Sequence, residues 1–339
     1  MSFTPKVKRV EIDEQQQLKQ AVNLLKEKRF DEALIQFTSI VQAHPASKKA
    51  NLGAAIAHFR QRQYDQAISY FETAIRLDPL SAQAPLGLGK IYLRQGNLEK
   101  ATEKLLEAIN LAPKLSQAYV VLGRVFVKQK QYPEAIQQLR KALLLDPRIV
   151  PARLNLAQAY IKQNSLPSAI AELKTAITIA PQNWLSYLQL GRVYLQQQEQ
   201  ELAETTLLTA TDLRGETSSF ALLQLTKALI DASLLTQANE ILITIPKNPQ
   251  SAPIIHKLWG DLYHCQGLFK EATEEYRAAS VLASQSDTSL DELDNLDNLN
   301  DSSLEDWADL ADSYKESANT LISQRASRRL GGQAAGKNN

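Results

Sequence analysis

Basic side chains recur along this chain at a fixed interval, and any chemistry has to be argued from that recurrence. Lys90, Arg124, Gln158 and Arg192 stand 34 residues apart, and Lys227 follows after one inserted residue. Four residues further along come Lys26, Arg60, Arg94, Lys128 and Lys162, with Gln196 closing the column. On a helix, residues four apart share a face, so Lys90 with Arg94 and Arg124 with Lys128 form paired cationic steps. Asn155 and Gln189, three residues ahead of Gln158 and Arg192, complete the candidate binding set. Between the charges run apolar columns, Leu86, Val120, Leu154, Leu188 and Leu93, Val127, Ile161, Leu195. Cationic rows beside apolar strips suit an acidic, amphipathic segment of another protein. Single exposed pairs are each worth only ~0.2–1 kcal/mol, so such binding has to use several steps together.

Catalytic patterns are scarce. Gly331 to Lys337 reads GGQAAGK, close to a phosphate-binding loop, but Asn338 stands where the magnesium-binding hydroxyl belongs. Gly87-Leu88-Gly89 lacks the third glycine of a dinucleotide loop. His264 and Cys265 are adjacent, and adjacent residues on a helix point about 100° apart, with no third group placed to orient the histidine. His58 stands in a column of large apolar residues and reads as a packed side chain. One cysteine excludes an internal disulfide and a cysteine-cluster metal site. The expectation is therefore a non-enzymatic protein with no cofactor and no metal.

The elements that must position the ladder announce themselves through prolines. Pro45, Pro79, Pro113, Pro147 and Pro181 lie 34 residues apart, and the interval continues through Gly215 to Pro249. Ala33, Ala67, Ala101, Ala135, Ala169 and Ala203 keep the same spacing, and Ala238 and Ala272 resume it after the insertion. A period near 34 marks a helix–turn–helix array, here eight units between about Glu14 and Ser286. In the fourth unit Tyr119, Leu122 and Phe126, then Ile136, Leu139, Leu143 and Leu144, follow helical spacing. Asp146-Pro147 ends the second helix, because proline lacks the donor and displaces its predecessor from the α region. Gly89, Gly123, Ala135 and Ala142 are small enough for close helix crossings.

These columns resemble the tetratricopeptide repeat family. The small column reads Ala21, Ala55, Gly89, Gly123, Ala157, Gly191 and Gly260, beside Leu24, His58, Tyr92, Phe126, Tyr160, Tyr194, Leu229 and Tyr263. On the second helices stand Phe37, Phe71, Leu105, Leu139, Leu173, Leu207, Leu242 and Tyr276. The resemblance implies an all-α solenoid, a right-handed superhelix whose concave groove is lined by the first helix of each pair. It also sharpens the ladder. In that family the column of Lys90, Arg124, Arg192 and Lys227 more often holds an uncharged amide. The family's clamp for a chaperone's terminal carboxylate is missing its lysine and asparagines, with Leu52, Gly53 and Gly87 at the corresponding places. The seventh unit has Leu225-Thr226 in place of the small pair and carries the insertion, so it is expected to be a soft point.

Outside the array, residues 1–13 read as an N-terminal extension and 287–302 as an acidic flexible linker. Ser303 opens an amphipathic helix over 303–325, with Trp307, Leu310, Ala311, Tyr314, Ala318 and Leu321 on one face. That helix is either a cap for the array or a partner-binding or self-associating element. Residues 326–339 read as a disordered basic tail. Between Asp287 and Asp312 there are ten acidic residues and no basic one, so against the whole chain's +1 the remainder carries +11. This acidic run is expected to dock within the chain on the basic ladder. Nucleic acid is the alternative ligand; the Leu and Val columns between the charges and the lack of stacking aromatics argue against it. No window approaches a membrane span, and the start of the chain, charged from Lys6, lacks the apolar stretch of a secretory signal, which points to the cytoplasm.

Overall fold

The structure is a computed structural model that describes residues 5–214, 219–246 and 252–286. The acidic linker, the 303–325 helix, the basic tail with its glycine cluster, Gly215 and Pro249 lie outside the described residues. The described chain is helical throughout, with no strand among the described residues. Eight pairs follow in order: α1 (Pro5–Lys26) with α2 (Phe30–Ala43), α3 (Lys48–Arg60) with α4 (Tyr64–Leu77), α5 (Gln83–Arg94) with α6 (Leu98–Leu111), and α7 (Ser116–Lys128) with α8 (Tyr132–Leu145). Then come α9 (Val150–Lys162) with α10 (Leu166–Ile179), α11 (Trp184–Gln196) with α12 (Gln200–Leu213), α13 (Ser219–Asp231) with α14 (Leu235–Thr244), and α15 (Ala252–Cys265) with α16 (Phe269–Ser286). The first helix begins at Pro5, inside the segment read as an extension.

Two kinds of turn repeat. After α2, α4, α6 and α10, the amide two residues past the first proline position closes a turn on the residue before the proline, as Ser47 does on His44 and Leu115 on Ala112. Proline at the second place of such a turn brings its φ ready-made. After Asp146 the aspartate side chain serves instead, accepting from the Arg148 amide at 2.9 Å. Inside each pair the turn is different. Lys28, Arg62, Gly96, Lys130, Asn164, Gln198, Ser233 and Gly267 all have φ between 58° and 79°. The surrounding amides bond back in the paired pattern that closes a helix on a left-handed residue, for example Lys130 to Val127 and Gln131 to Phe126. Only two of these eight positions are glycine, so composition does not reveal this turn.

The chain divides into two compact units, Met1–Ala159 and Tyr160–Asn339. Within the first, each helix from α1 to α8 packs on the next, and the odd helices also meet one another, α1 with α3, α3 with α5 and α5 with α7. Within the second, α10 to α16 pack in series, and α11 meets α13 as α13 meets α15. Odd helices that touch their odd neighbours form the inner layer of each unit, and the even helices form its outer layer.

The inner crossings are held close by small residues. A Cβ on Gly89 would lie 2.6 Å from Leu105, on Gly123 2.5 Å from Leu139 and on Gly191 2.7 Å from Leu207. In the seventh pair Thr226 takes that place, buried, with its hydroxyl donating to the Leu222 carbonyl at 2.8 Å. Gly53 and Gly87 have another cause: their hydrogens face the rings of Phe37 and Phe71, which reach across from the preceding pair. Where that column changes to Leu105, Leu139 and Leu173, the facing places carry side chains, Val121, Asn155 and Gln189. His58 is buried as expected, its ring stacked on Tyr70 at 5.3 Å between centroids and its Nδ1 2.6 Å from Gln63 Oε1. Leu144, read as part of an apolar face, points to solvent. The second helix of the seventh pair, α14, has 10 residues where α12 has 14.

Candidate peptide-binding site

In the first unit α5 and α7 stand side by side in the inner layer and bring four of the candidate cations together. Lys90 and Arg94 lie one turn apart on α5, and Arg124 and Lys128 one turn apart on α7. The two helices are joined by Lys90, whose Nζ donates to Gln117 Oε1 at 3.4 Å. Gln117 sits two turns before Arg124 on α7, so Gln117, Arg124 and Lys128 run along one face. Arg124 is 8% exposed and Gln117 9%. The Lys128 pKa is lowered, first by partial burial and then by Arg124 and Arg94. Lys128 is an exposed residue at the last position of α7. The charges acting on it are both cations.

The α9 candidates are arranged otherwise. Asn155 is 4% exposed and belongs to the packing. Gln158 is half-buried, and Lys162 is exposed at the last residue of the helix.

In the second unit the same columns are answered by carboxylates. Lys227 Nζ lies 3.3 Å from Asp231 Oδ2, one turn along α13. Asp231 also acts on Arg192, opposing the burial that lowers the Arg192 pKa. On α15, Lys257 Nζ lies 3.8 Å from Asp261 Oδ2, and Asp261 Oδ1 accepts from the Tyr276 hydroxyl at 2.8 Å. Gln189 is half-buried on α11. Thus the ladder that reads as continuous in the sequence differs in net charge from one unit to the other.

The expected apolar strips are covered in part. Leu86, Leu93, Val120 and Leu188 are buried in helix packing, and Leu154, Val127, Ile161 and Leu195 are half-buried. An odd helix is enclosed by its own partner, the preceding even helix and its odd neighbours. Leu86 and Val120, one turn before Lys90 and Arg124 on the same line, are covered there.

Sequence reading passed over Gln117, Asp231 and Asp261. The 34-residue interval contained the signal for all three: Gln117 follows Gln83, Asp231 follows Gln196 after the insertion, and Asp261 follows Lys227. Among the described residues no three histidine, cysteine or acidic side chains cluster as a metal site would require, and no helix is long and apolar enough to cross a membrane. His264 packs edge-on against Phe269, 5.3 Å between centroids, beside an exposed Cys265.

Three segments match family models described as tetratricopeptide repeat: residues 52–116, 126–183 and 186–217. No curated protein matches the sequence. Among solved structures, pilF of Pseudomonas aeruginosa aligns with a TM-score of 0.53 at 20% identity, over 61% of this chain and 94% of that one. A chain of the APC/C hetero-tetramer Cut9-Hcn1 aligns with a TM-score of 0.57 at 25% identity, over 63% of this chain and 42% of that one. PilW, described as a widely conserved type IV pilus biogenesis factor, aligns with a TM-score of 0.51 at 22% identity, over 58% of this chain and 90% of that one. The pilF and PilW likenesses show the fold alone.

Proposed function

We propose, from the premise that this chain carries tetratricopeptide repeats, that it is a non-enzymatic scaffold or assembly factor that binds an acidic segment of a partner protein. The observation that carries this reading is the meeting of Lys90, Arg94, Arg124 and Lys128 on two adjacent inner helices. A chain in the Cut9-Hcn1 hetero-tetramer shares the fold at 25% identity, which supports a role in holding proteins together. The burial of Leu86, Leu93 and Val120 beside the α5 and α7 cations favours acidic over amphipathic character in the part of the ligand that meets them. Arg192 and Lys227 contribute less, because Asp231 already stands with them.

The chain's own run from Asp287 to Asp312 has the right chemistry and supplies the first probe. A labelled peptide of that sequence is titrated into the full chain and into a Lys90→Glu, Arg124→Glu, Arg192→Glu variant. The peptide should bind the native chain, bind less tightly as salt rises, and lose at least about tenfold in affinity, or about 1.4 kcal/mol, with the variant. Equal binding by a folded variant overturns the reading. In cis the same run competes with a partner, so a chain ending at residue 286 should bind the peptide more tightly than the full chain.

A further inference from the structure

Single exposed apolar residues are ordinary on a protein surface, so Ile35, Leu80 and Leu144 carry no message. Phe269 and Tyr276 differ, because the 34-residue interval shows what their places do elsewhere. Tyr276 ends the column that begins with Phe37 and Phe71. The earlier members, down to Leu242, are at most 2% exposed, and Tyr276 is 37% exposed. Phe269 is 63% exposed, whereas Phe30, Tyr64, Leu98, Tyr132 and Leu235 at its place are half-buried. In earlier pairs the cover comes from the next inner helix, which sets Gly53 against the Phe37 ring and Gly87 against the Phe71 ring. Tyr276 keeps only the inward half of that packing, with its ring on Gly260 and its hydroxyl donating to Asp261. Phe269, Thr273 and Tyr276 are spaced to share one face of α16, and all three are exposed. Among the described residues no helix follows α16.

The chain itself holds a segment of matching form. Residues 303–325 place Trp307, Leu310, Ala311, Tyr314, Ala318 and Leu321 on one stripe. As a helix that segment is about 34 Å long, against about 27 Å for α16. Residues 287–302 lie between the two, and extended they reach about 53–58 Å, enough to return along the whole of α16. Charge agrees with the match. Lys270 and Arg277 are exposed one residue beyond Phe269 and Tyr276, and Asp306 stands one residue before Trp307, followed by Asp309 and Asp312.

We propose that residues 303–325 dock in cis, as a helix, on the end face of the eighth pair, with the Trp307 stripe laid over Phe269 and Tyr276. The occupant is this chain's own segment because the tether holds it near the face at roughly millimolar effective concentration, whereas a second copy has to arrive from bulk. Docking closes an apolar end that would otherwise stack on other chains. The acidic residues from Asp287 to Asp301 stay outside the contact, so the acidic-segment reading stands or falls separately.

Hydrogen–deuterium exchange, read by mass spectrometry on the full chain, tests the contact with Phe269→Asp, Trp307→Asp and the double variant. In the native chain the 303–325 amides should exchange at least about tenfold more slowly than those of an unstructured chain. Helices owe most of their stability to packing of an apolar face, so Phe269→Asp should remove that protection while leaving exchange in α13 to α15 unchanged. Trp307→Asp, outside the array, should remove it too and should speed exchange across Phe269–Tyr276. The double variant should exchange no faster than the faster single one. Unprotected 303–325 amides in the native chain overturn the docking, and so does protection that either single variant leaves intact. Protection that grows with protein concentration, together with a doubled mass by light scattering, overturns it in favour of a second copy. None of these readouts uses an acidic peptide, so each outcome leaves the acidic-segment reading to its own titration.

Discussion

The two units use one packing scheme and two charge schemes. In the first, Gly123 admits Leu139, and the helix that carries it presents Arg124 and Lys128 toward Arg94. In the second, Gly191 admits Leu207 in the same way, but the next residue, Arg192, stands near Asp231. Packing depends on volumes repeated every 34 residues, and it tolerates few changes because interiors are close-packed. The open face of an inner helix makes no such demand, so charge there varies between units at little cost to the fold.

The comparison can be broken at its packing half first. Gly123→Ala and Gly191→Ala should each cost about 1–3 kcal/mol through overpacking, and by similar amounts, since the added carbons would lie 2.5 and 2.7 Å from the facing leucines. Urea denaturation of the two variants checks this. A large loss at one site alone means that the units do not share a packing scheme.

The charge half gives smaller effects. Asp231→Asn removes the carboxylate beside Lys227 and Arg192 and makes the second unit resemble the first. Affinity for an acidic peptide should rise about two- to fivefold, the worth of one exposed pair, with stability nearly unchanged. Unchanged affinity in the titration means that the second unit contributes nothing to binding.

The smallest effect concerns protonation. The folded pKa of Lys128 is depressed below its ordinary value of 10.5. Below the folded pKa the ammonium is charged in both states, and the native chain carries the full penalty. As pH rises through the folded pKa the penalty is relieved, and above 10.5 it is gone, so this residue makes stability rise with pH. Lys128→Met should therefore be slightly more stable than the native chain near neutrality, and that advantage should shrink as pH rises. Paired urea midpoints at neutral and alkaline pH measure the gap. A gap that widens with pH reverses the sign and removes the like-charge crowding.

Much of the fold was legible because steric demands repeat. Proline ends each outer helix by chemistry that needs no partner, so Pro45 to Pro181 mark the helix ends within a residue or two. Gly89 and Gly123 read as crossings because only a close neighbour explains a small residue in the middle of a helix. The left-handed turns were not legible, since lysine, arginine, glutamine, serine and asparagine occupy six of the eight positions. There the backbone hydrogen bonds of the helix end hold the conformation and the side chain has little say. Spacing says which residues share a face, and only the neighbouring helices say where that face is covered, as it is at Leu86 and Val120.

The sequence alone therefore settled the helix pairs, their period and the columns to which Lys90, Arg94, Arg124, Lys128, Arg192 and Lys227 belong, because those follow from covalent geometry and local sterics. Only the tertiary structure decided which of these cations crowd one another and which stand beside a carboxylate. A Coulomb interaction depends on distance through space, and contacts such as Lys90 with Gln117, 27 residues apart, and Arg192 with Asp231, 39 apart, are made only by the fold.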